Sequence, residues 1–255
     1  MTNKELIIKL RDNHILERNE FKQLITDLCP DDEEFLYEEA RKLREIYYGK
    51  EVYPRGLIEF TNYCTKDCLY CGIRAGNSDC ERYRLSEDQI FECASIGYRL
   101  GFRTFVLQGG EDPFFDDDSF LRIIKRIKSS FPDCAITMSV GEKSRKSYEA
   151  FYQAGADRYL LRHETISSDH YSMLHPRGQN IDSRIKCLKD LKDIGYQVGV
   201  GIMIGSPGQT IDHIINDLFF MKEFQPQMVG MGPFIPHEQT PFKNKESGKL
   251  RDVLH

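Results

Sequence analysis

The sequence predicts an α/β protein with a TIM-type (β/α) barrel that is preceded by a helical extension. Short apolar runs of strand length alternate with amphipathic runs of helical length from about residue 55 onward. This alternation is typical of parallel strands joined by right-handed helical crossovers. We expect the helical extension over residues 1–50 and the barrel over residues 51–255.

Six strands are expected in the barrel region. They cover residues 57–60, 104–108, 135–140, 158–163, 198–204 and 228–232. The helices between them are expected to run from Ser86, which forms a capping box with Gln89, to about Leu100 and over residues 120–130, 144–154, 182–194 and 210–223. A closed barrel has eight strands. We therefore expect an incomplete barrel of about six units, either open by design or truncated before its last two units.

Composition excludes several functional classes. The chain has 255 residues, a net charge of −5 and 40% hydrophobic residues, so it has no general attraction to nucleic acid or anionic membranes. Eight cysteines are too few for a disulfide-framed secreted domain of this size. No apolar run approaches the roughly 18 residues that would cross a bilayer. We expect a cytoplasmic protein in a reducing compartment.

Three cysteines lie close together directly after the first predicted strand. Cys64, Cys68 and Cys71 form a C-x3-C-x2-C run. Thiolate ligands favour zinc or iron–sulfur centres, and structural zinc sites usually have four protein ligands. No fourth ligand stands nearby, so we predict a 4Fe–4S cluster with one iron left open, against the alternative of three structural cysteines. The other cysteines are interpreted as structural: Cys29, Cys80, Cys93, Cys134 and Cys187.

A glycine–acid turn follows the second strand. Gly109 and Gly110 would let the backbone approach a ligand closely, and Glu111 with Asp112 would receive an ammonium group. The carboxyl ends of parallel strands carry the chemistry in such architectures. The alternative is an ordinary glycine turn with a solvated acid.

Period-two alternation places polar side chains on one face of two strands. Thr137 and Ser139 share a face of the third strand, while Arg158, Arg162 and Glu164 share a face of the fourth. Because apolar residues must cover the helix-facing side, we expect these polar residues inside the barrel. Charges in a cavity are costly unless they are paired or liganded, which indicates an anionic ligand or an internal salt-bridge network.

Four further residues have expected roles. His163 lies on the opposite face of the fourth strand and is expected to be a structural, hydrogen-bonded histidine. Arg184 opens a helix and would close over a carboxylate, unless it is a solvated helix-end charge. Gly199 and Gly201 would weaken the fifth strand unless another group packs closely against them.

Together these motifs resemble the radical S-adenosylmethionine (radical SAM) superfamily. The C-x3-C-x2-C run with aromatic Tyr70 before its last cysteine is the hallmark of that superfamily. Within it, the chain resembles the hydrogenase-maturase branch. The segments that carry this second resemblance are residues 83–84, 107–113, 155–165, 205–210 and 228–237. Relatives in that branch continue through two more strands, which favours a chain truncated at its C-terminal end.

The resemblance implies a role for each matching residue. Cys64, Cys68 and Cys71 would hold three irons of the cluster, and the open iron would take the amino and carboxylate groups of S-adenosylmethionine (SAM). The residues expected to face that cofactor are Tyr70 near the adenine, Gly109, Gly110 and Glu111 at the amino group, Glu164 at the ribose, Arg184 at the carboxylate, and Thr137 and Ser139. The residues expected to act on the substrate beside it are Gln108, Arg158, Arg162 and Met228.

The activity implied by the resemblance is reductive cleavage of SAM in the maturation of the FeFe-hydrogenase H-cluster. Its partners would be a small-molecule or small iron-complex substrate, an electron donor and other hydrogenase maturases, with neither nucleic acid nor membrane. Methylornithine synthase and biotin synthase stay open as alternative relatives. Biotin synthase is disfavoured because Cys134 lies at the amino end of its strand. A non-catalytic metal-binding scaffold for a maturase partner is the alternative of another class.

Overall fold

The computed structural model describes residues 1–176 and 178–255 and contains one parallel sheet whose six strands follow the order of the chain. The strands are β1 Gly56–Thr61, β2 Thr104–Gly109, β3 Ala135–Ser139, β4 Arg158–Leu160, β5 Gln197–Ile204 and β6 Met228–Pro233. Within the described residues, β1 and β6 are the two edge strands and do not pair with each other. The expected incomplete (β/α) barrel of six units is therefore confirmed.

Ten helices occur in the described part of the chain. They are α1 Asn3–Asn13, α2 Arg18–Asp27, α3 Pro30–Tyr48, α4 Glu87–Arg99, α5 Asp117–Ser130, α6 Arg145–Ala154, α7 Ser168–Leu174, α8 Ile181–Ile194, α9 Ile211–Phe224 and α10 Leu250–Leu254. The predicted capping box is present, since the Ser86 side chain accepts from the Gln89 N–H and the Gln89 side chain accepts from the Ser86 N–H. None of these helices has the length and apolarity needed to span a membrane.

The short helices α7 and α10 were not expected, and β4 is shorter than expected. Strand β4 ends at Leu160, although the alternation of side chains continues to residue 164. Beyond Leu160 the chain bends toward β5, where the Leu161 and Glu164 N–H groups donate to the carbonyls of Gly199 and Gly201. Glu164 has a left-handed backbone with φ +62°. This bend turns the segment after β4 toward the carboxyl edge of the sheet.

Alternate residues of the strands build the core. Ile58 and Phe60 of β1 lie, with Ile136 and Met138 of β3, in one large buried cluster on the helix-covered face. Side chains between them face the other side of the sheet, as the period of two requires. Because the barrel is open, this concave face is reached by solvent, and Leu57 of β1 is 54% exposed.

The N-terminal helices pack against α9. Leu6, Phe21 and Leu24 form a second buried cluster with Ile215. The Phe21 ring lies 5.8 Å from the Phe219 ring in an edge-to-face arrangement. The expected helical extension therefore packs on one barrel helix, α9, and its helix α3 also pairs with Arg251 of α10 through Glu33.

Candidate active site

A cavity of about 530 Å3 opens at the carboxyl edge of the sheet. The ends of β1, β2 and β3, the segment after β4 and the first turn of α8 all contribute to its wall. The predicted site residues that line it are Cys71, Gln108, Gly109, Ser139, Arg162, Glu164 and Arg184. The structure therefore brings together half of the expected cofactor and substrate residues.

The cysteine loop lies directly beside this cavity. Cys64, Cys68 and Cys71 are partly buried free thiols on irregular backbone after β1. Burial, with the nearby charge of Cys71, raises the pKa of Cys68 to about 12. Burial likewise raises the pKa of Cys71, and the nearby charge of Cys64 adds to it. Three thiolates in one partly buried loop would repel one another unless a cationic metal centre offset their negative charges.

The surroundings of Cys64 fit an iron–sulfur ligand. Its sulfur accepts two backbone N–H groups, from Lys66 and Glu111, each at 3.4 Å. Hydrogen bonds to the sulfurs are characteristic of such clusters. Among residues 1–176 and 178–255, no three His, Cys, Asp or Glu side chains converge on one metal ion. Cluster ligands need no such convergence, because each cysteine binds a different iron.

The glycine turn after β2 is packed against the cysteine loop. A Cβ atom on Gly110 would lie 2.1 Å from the Tyr63 carbonyl oxygen and 2.7 Å from Cys64 Cβ. The Thr65 N–H and hydroxyl both donate to the Glu111 carbonyl, at 3.0 and 3.1 Å. The expected close approach at Gly110 is thus made by the cysteine loop, and it places the two motifs side by side.

The two acids of that turn have different surroundings. Glu111 lies 3.5 Å from Lys66 Nζ and accepts the Glu142 N–H at 3.2 Å, and burial raises its pKa. Asp112 accepts two hydrogen bonds from Arg84, at 2.7 and 2.9 Å, and one from Thr61 at 2.8 Å. Burial would raise the pKa of Asp112, but these bonds outweigh it and the pKa is lowered. Of these two acids, Asp112 is already held by an arginine and Glu111 is not, so the expected role toward an ammonium group stays a prediction for Glu111 alone.

The segment after β4 carries an ion pair. Arg162 Nη2 lies 3.2 Å from Glu164 Oε2 and donates to the Ile202 carbonyl at 2.6 Å. Its stem lies against Gly201, where an added Cβ would meet Arg162 Cγ at 2.9 Å. The ion-pair contact has poor hydrogen-bond geometry, so Glu164 Oε2 is left without a hydrogen-bond partner among the described residues. Burial raises the pKa of Glu164.

The Arg184 side chain is fixed by hydrogen bonds and is not a solvated charge at the end of a helix. It donates to Glu142 Oε1 and to the Arg162 carbonyl, both at 2.7 Å, and only 11% of its side chain is exposed. Ser183 donates to the other Glu142 oxygen at 2.8 Å. The sequence analysis did not predict Glu142 as a site residue. Its position three residues after the end of β3, at the carboxyl edge, is the signal that could have indicated it.

Tyr70 lies within the cysteine loop, directly before Cys71, and is not among the residues that line the cavity. Its ring packs against a small buried cluster that contains Leu174, Met203 and Phe234. Its hydroxyl lies 3.4 Å from Nε2 of His175. Burial raises the pKa of Tyr70, so this phenol stays a neutral donor.

The inward positions of the sheet lie at different depths. Gln108 is near the carboxyl edge and donates to Glu59 at 3.3 Å, a second acid that sequence reasoning missed. Thr137 lies two residues deeper than Ser139 on β3, and its buried hydroxyl has no partner among the described residues.

Arg158 and Met228 lie at the opposite, amino end of the sheet. Arg158 opens β4 and donates to Gln197 and Thr104, which open β5 and β2. Met228 opens β6, and its sulfur lies 3.5 Å from Arg55 Nη1. Arg162, in contrast, lies beyond the carboxyl end of β4, which runs only from Arg158 to Leu160. The structure does not bring Arg158 and Met228 to the cavity.

The strand-five glycines are packed closely, as the sequence indicated, but His163 is not the hydrogen-bonded histidine that was expected, because neither of its ring nitrogens has a hydrogen-bond partner among the described residues. His163 is fully buried, with Nε2 3.3 Å from Asp217 Oδ1. A Cβ atom on Gly199 would lie 2.7 Å from the Leu160 side chain. The glycines therefore make room for inward side chains of β4.

The chain is similar in sequence to a known protein family and to named proteins. The family model described as the radical SAM superfamily matches residues 58–221. The chain is 44% identical to the "[FeFe] hydrogenase maturase subunit HydE" of Thermotoga maritima, over 100% of this chain and 72% of that protein. It is 29% identical to the 3-methylornithine synthase of Methanosarcina acetivorans, over 96% of this chain and 70% of that protein.

Solved structures agree on the fold. The crystal structure of methylornithine synthase (PylB) superposes with a TM-score of 0.86 at 29% identity, covering 94% of this chain and 70% of that one. The maturase HydG superposes with a TM-score of 0.81 at 20% identity, over 95% of this chain and 58% of that one. Radical SAM enzymes use a 4Fe–4S cluster and SAM, which fits the cysteine loop described above. Because the family model matches more than half of the chain and the HydE relative matches all of it, this protein belongs to the radical SAM superfamily.

Proposed function

We propose that this protein is a HydE-type maturase, which cleaves SAM reductively and acts on a small substrate during assembly of the FeFe-hydrogenase H-cluster. The observation that carries the proposal is the packing of the cysteine loop on the Gly110 turn, beside a cavity that contains Arg184 and Glu164. The 44% identity to HydE over the whole chain supports this branch of the superfamily.

Three cysteines would hold the cluster. Cys64, Cys68 and Cys71 would each bind one iron, and the fourth iron would be open to SAM. When bound, the cluster and SAM together supply one-electron cleavage of the sulfonium to methionine and a 5′-deoxyadenosyl radical. The backbone N–H groups that point at Cys64 would stabilise the anionic sulfur.

Four side chains would orient SAM beside that cluster. Arg184, held by Glu142, would bind the methionine carboxylate, and Glu111 would receive the methionine ammonium. Glu164, which has an oxygen without a hydrogen-bond partner, would accept from the ribose hydroxyls. Tyr70 would lie near the adenine. Burial of these groups strengthens each polar contact and excludes water.

The concave face of the sheet would receive the substrate. Gln108, Ser139 and Arg162 would line the part nearest the cofactor, since all three border the cavity. Thr137, Arg158 and Met228 occupy inward positions deeper along their strands and would contact a substrate only toward the amino end. A cavity with arginine in its wall favours an anionic or metal-complex substrate.

Methylornithine synthase is the second candidate function. The match to its solved structure, at a TM-score of 0.86 and 29% identity, supports it. The two candidates share SAM cleavage and differ in the molecule that meets the radical. Biotin synthase is less favoured, with 24% identity in a relative from Staphylococcus haemolyticus and with Cys134 at the amino end of β3.

Anaerobic assay of SAM cleavage tests the shared chemistry. The protein would be reconstituted with iron and sulfide and reduced, and 5′-deoxyadenosine would be measured. The parent and Cys93→Ala, which changes an exposed cysteine, should form product, while Cys68→Ala should form none. Product from Cys68→Ala at the parent rate would refute the cluster assignment, and zinc without iron in the parent would favour a non-catalytic scaffold.

A second assay separates the branches. The protein would be combined with an electron donor, the other hydrogenase maturases and an apo-hydrogenase, and hydrogen evolution would be measured. A HydE-type maturase should be required for activity in that mixture. Formation of methylornithine without any effect on the hydrogenase would favour the second candidate.

A further inference from the structure

Arg82 closes the cysteine loop from both ends. Its Nη1 donates to the carbonyls of Asn62 and, at 2.8 Å, of Ile73. Its Nη2 donates to the carbonyls of Arg74 and Asn77, at 2.7 and 3.1 Å. Asn62 precedes the first cysteine of the loop and the other three residues follow the last one. One guanidinium group therefore joins the two ends of the segment that presents all three thiols.

The charge of Arg82 is not offset by an acid. Within the described part of the chain, Arg82 takes part in no salt bridge, whereas its neighbours Arg74 and Arg84 pair with Asp67 and Asp112 at 2.6 and 2.7 Å. Carbonyl dipoles satisfy its N–H groups without neutralising the cation. The hydrogen bond from Arg82 to the Ile73 carbonyl fixes this cation two residues along the chain from Cys71, so the positive charge lies close to a predicted cluster ligand.

A fixed cation at this place has an electrostatic consequence. A cluster that gains one electron gains one negative charge, so a nearby positive charge stabilises the reduced form more than the oxidised form. The effect is larger in a partly buried loop than in water, because screening is weaker there. Net charge and hydrogen bonding around a cluster are the main protein influences on its potential.

We propose that Arg82 is a positioning residue that raises the reduction potential of the cluster through its uncompensated charge, while its hydrogen bonds hold the loop. The proposal rests on the proposed function, since it requires the cluster at Cys64, Cys68 and Cys71. Arginine suits both tasks, because its planar group reaches four carbonyls and stays charged at every physiological pH. Lysine at this position would keep the charge and lose part of the hydrogen bonding.

Four variants separate the effect of the Arg82 charge from the effect of the hydrogen bonds that hold the cysteine loop. Arg82→Gln removes both, and Arg82→Lys keeps the charge. Asn77→Ala removes neutral bracing, because the Asn77 side chain donates to the Gly72 carbonyl at 2.6 Å and to Gln239 at 3.0 Å. Arg122→Gln removes a positive charge far from the loop, where Arg122 pairs with Glu87.

The readouts are iron per chain and an anaerobic redox titration of the reconstituted cluster followed by electron paramagnetic resonance. The expected result is a shift to a more negative midpoint potential in Arg82→Gln only, with the other three variants at the parent potential. Arg82→Gln at the parent potential would overturn the proposal, and so would an equal shift in Arg82→Lys.

Loss of the cluster is also decisive. If Arg82→Gln binds no iron, full iron binding by Arg82→Lys would support the role of the charge. Equal loss of iron in both variants would show that Arg82 acts only through its hydrogen bonds to the loop, and it would overturn the proposal. The titration needs no SAM cleavage, so an inactive parent with a normal titration would count against the proposed function and leave this inference standing.

Discussion

The hydroxyl group of Tyr70 donates a hydrogen bond to Nε2 of His175, with 3.4 Å between the two atoms. The direction follows from the other ring nitrogen, because Nδ1 lies 2.9 Å from the Tyr171 carbonyl, which can only accept. The His175 ring also stacks on Tyr171, with 3.8 Å between ring centres. A buried neutral imidazole therefore supports Tyr70, one of the two residues between Cys68 and Cys71 in the cysteine loop.

This support should make stability depend on pH. Burial lowers the pKa of His175 to about 4, whereas an unfolded histidine has a pKa of about 6.5. Between these values the unfolded chain binds a proton that the folded protein does not bind. Stability should therefore fall as pH drops from about 6.5 to about 4, by at most roughly 3 kcal/mol.

Urea unfolding at pH 7.5, 6.0 and 5.0 measures this effect. The pH slope should be shallower in His175→Gln than in the parent or in His14→Gln, which changes an exposed histidine. Equal slopes in all three proteins would show that His175 does not carry the pH dependence.

Gly110→Ala should displace the cysteine loop. The new Cβ would lie 2.1 Å from the Tyr63 carbonyl oxygen, and backbone on both sides must move to relieve that contact. We expect a loss of about 1–3 kcal/mol in unfolding free energy and a lower iron content after reconstitution. Gly232→Ala is the matched control, because its new Cβ would meet no described atom within 4 Å. A Gly110→Ala protein that binds iron and unfolds like this control would contradict the packing.

Asp217→Ala should loosen the segment that carries Glu164. Asp217 is fully buried, accepts the Ile166 N–H at 2.6 Å and lies 3.3 Å from His163. Its loss would leave a buried donor unsatisfied, at a cost of about 1–3 kcal/mol. Denaturant unfolding would measure that cost, and SAM binding should also weaken. Asp169→Ala, which removes the exposed partner of His213, should change neither quantity.

Arg184→Gln should weaken SAM binding by roughly tenfold or more, because hydrogen bonds to a charged group contribute about 1.5–3 kcal/mol. Calorimetric titration of the reconstituted protein with SAM measures the change, with iron content as the check on cluster loading. Arg145→Gln is the control, since Arg145 of α6 pairs with Asp190 of α8 and neither residue lines the cavity. Unchanged affinity in Arg184→Gln would exclude its proposed role.

Much of the fold could be predicted because its signals are local. Apolar runs located all six strands, and the capping box at Ser86 located the start of α4. The end of β4 could not be predicted, because the alternation of side chains continues past Leu160 while the backbone turns toward β5. Propensity and periodicity carry no information about where a neighbouring strand takes over the hydrogen bonds.

The candidate site was predictable where its residues are contiguous. The cysteine spacing and the Gly109–Gly110 turn are motifs within a few residues, so each could be recognised without a structure. Alternation indicated that Arg158 and Arg162 face the same way, but it did not indicate which of them reaches the cavity. The structure places Arg158 at the amino end of β4 and Arg162 beyond its carboxyl end. The pairing of Arg184 with Glu142 joins residues 42 positions apart and has no local signature.

By itself, the sequence determined which chemical groups this protein carries and in what order its strands and helices follow, because spacing and periodicity are properties of neighbouring residues. Only the tertiary structure decided which of those groups meet: Asp112 with Arg84, Glu111 with Lys66, and Arg82 with the carbonyls at both ends of the cysteine loop. These partners are set by the register of parallel strands and the course of the loops between them, which arise only when the whole sheet assembles.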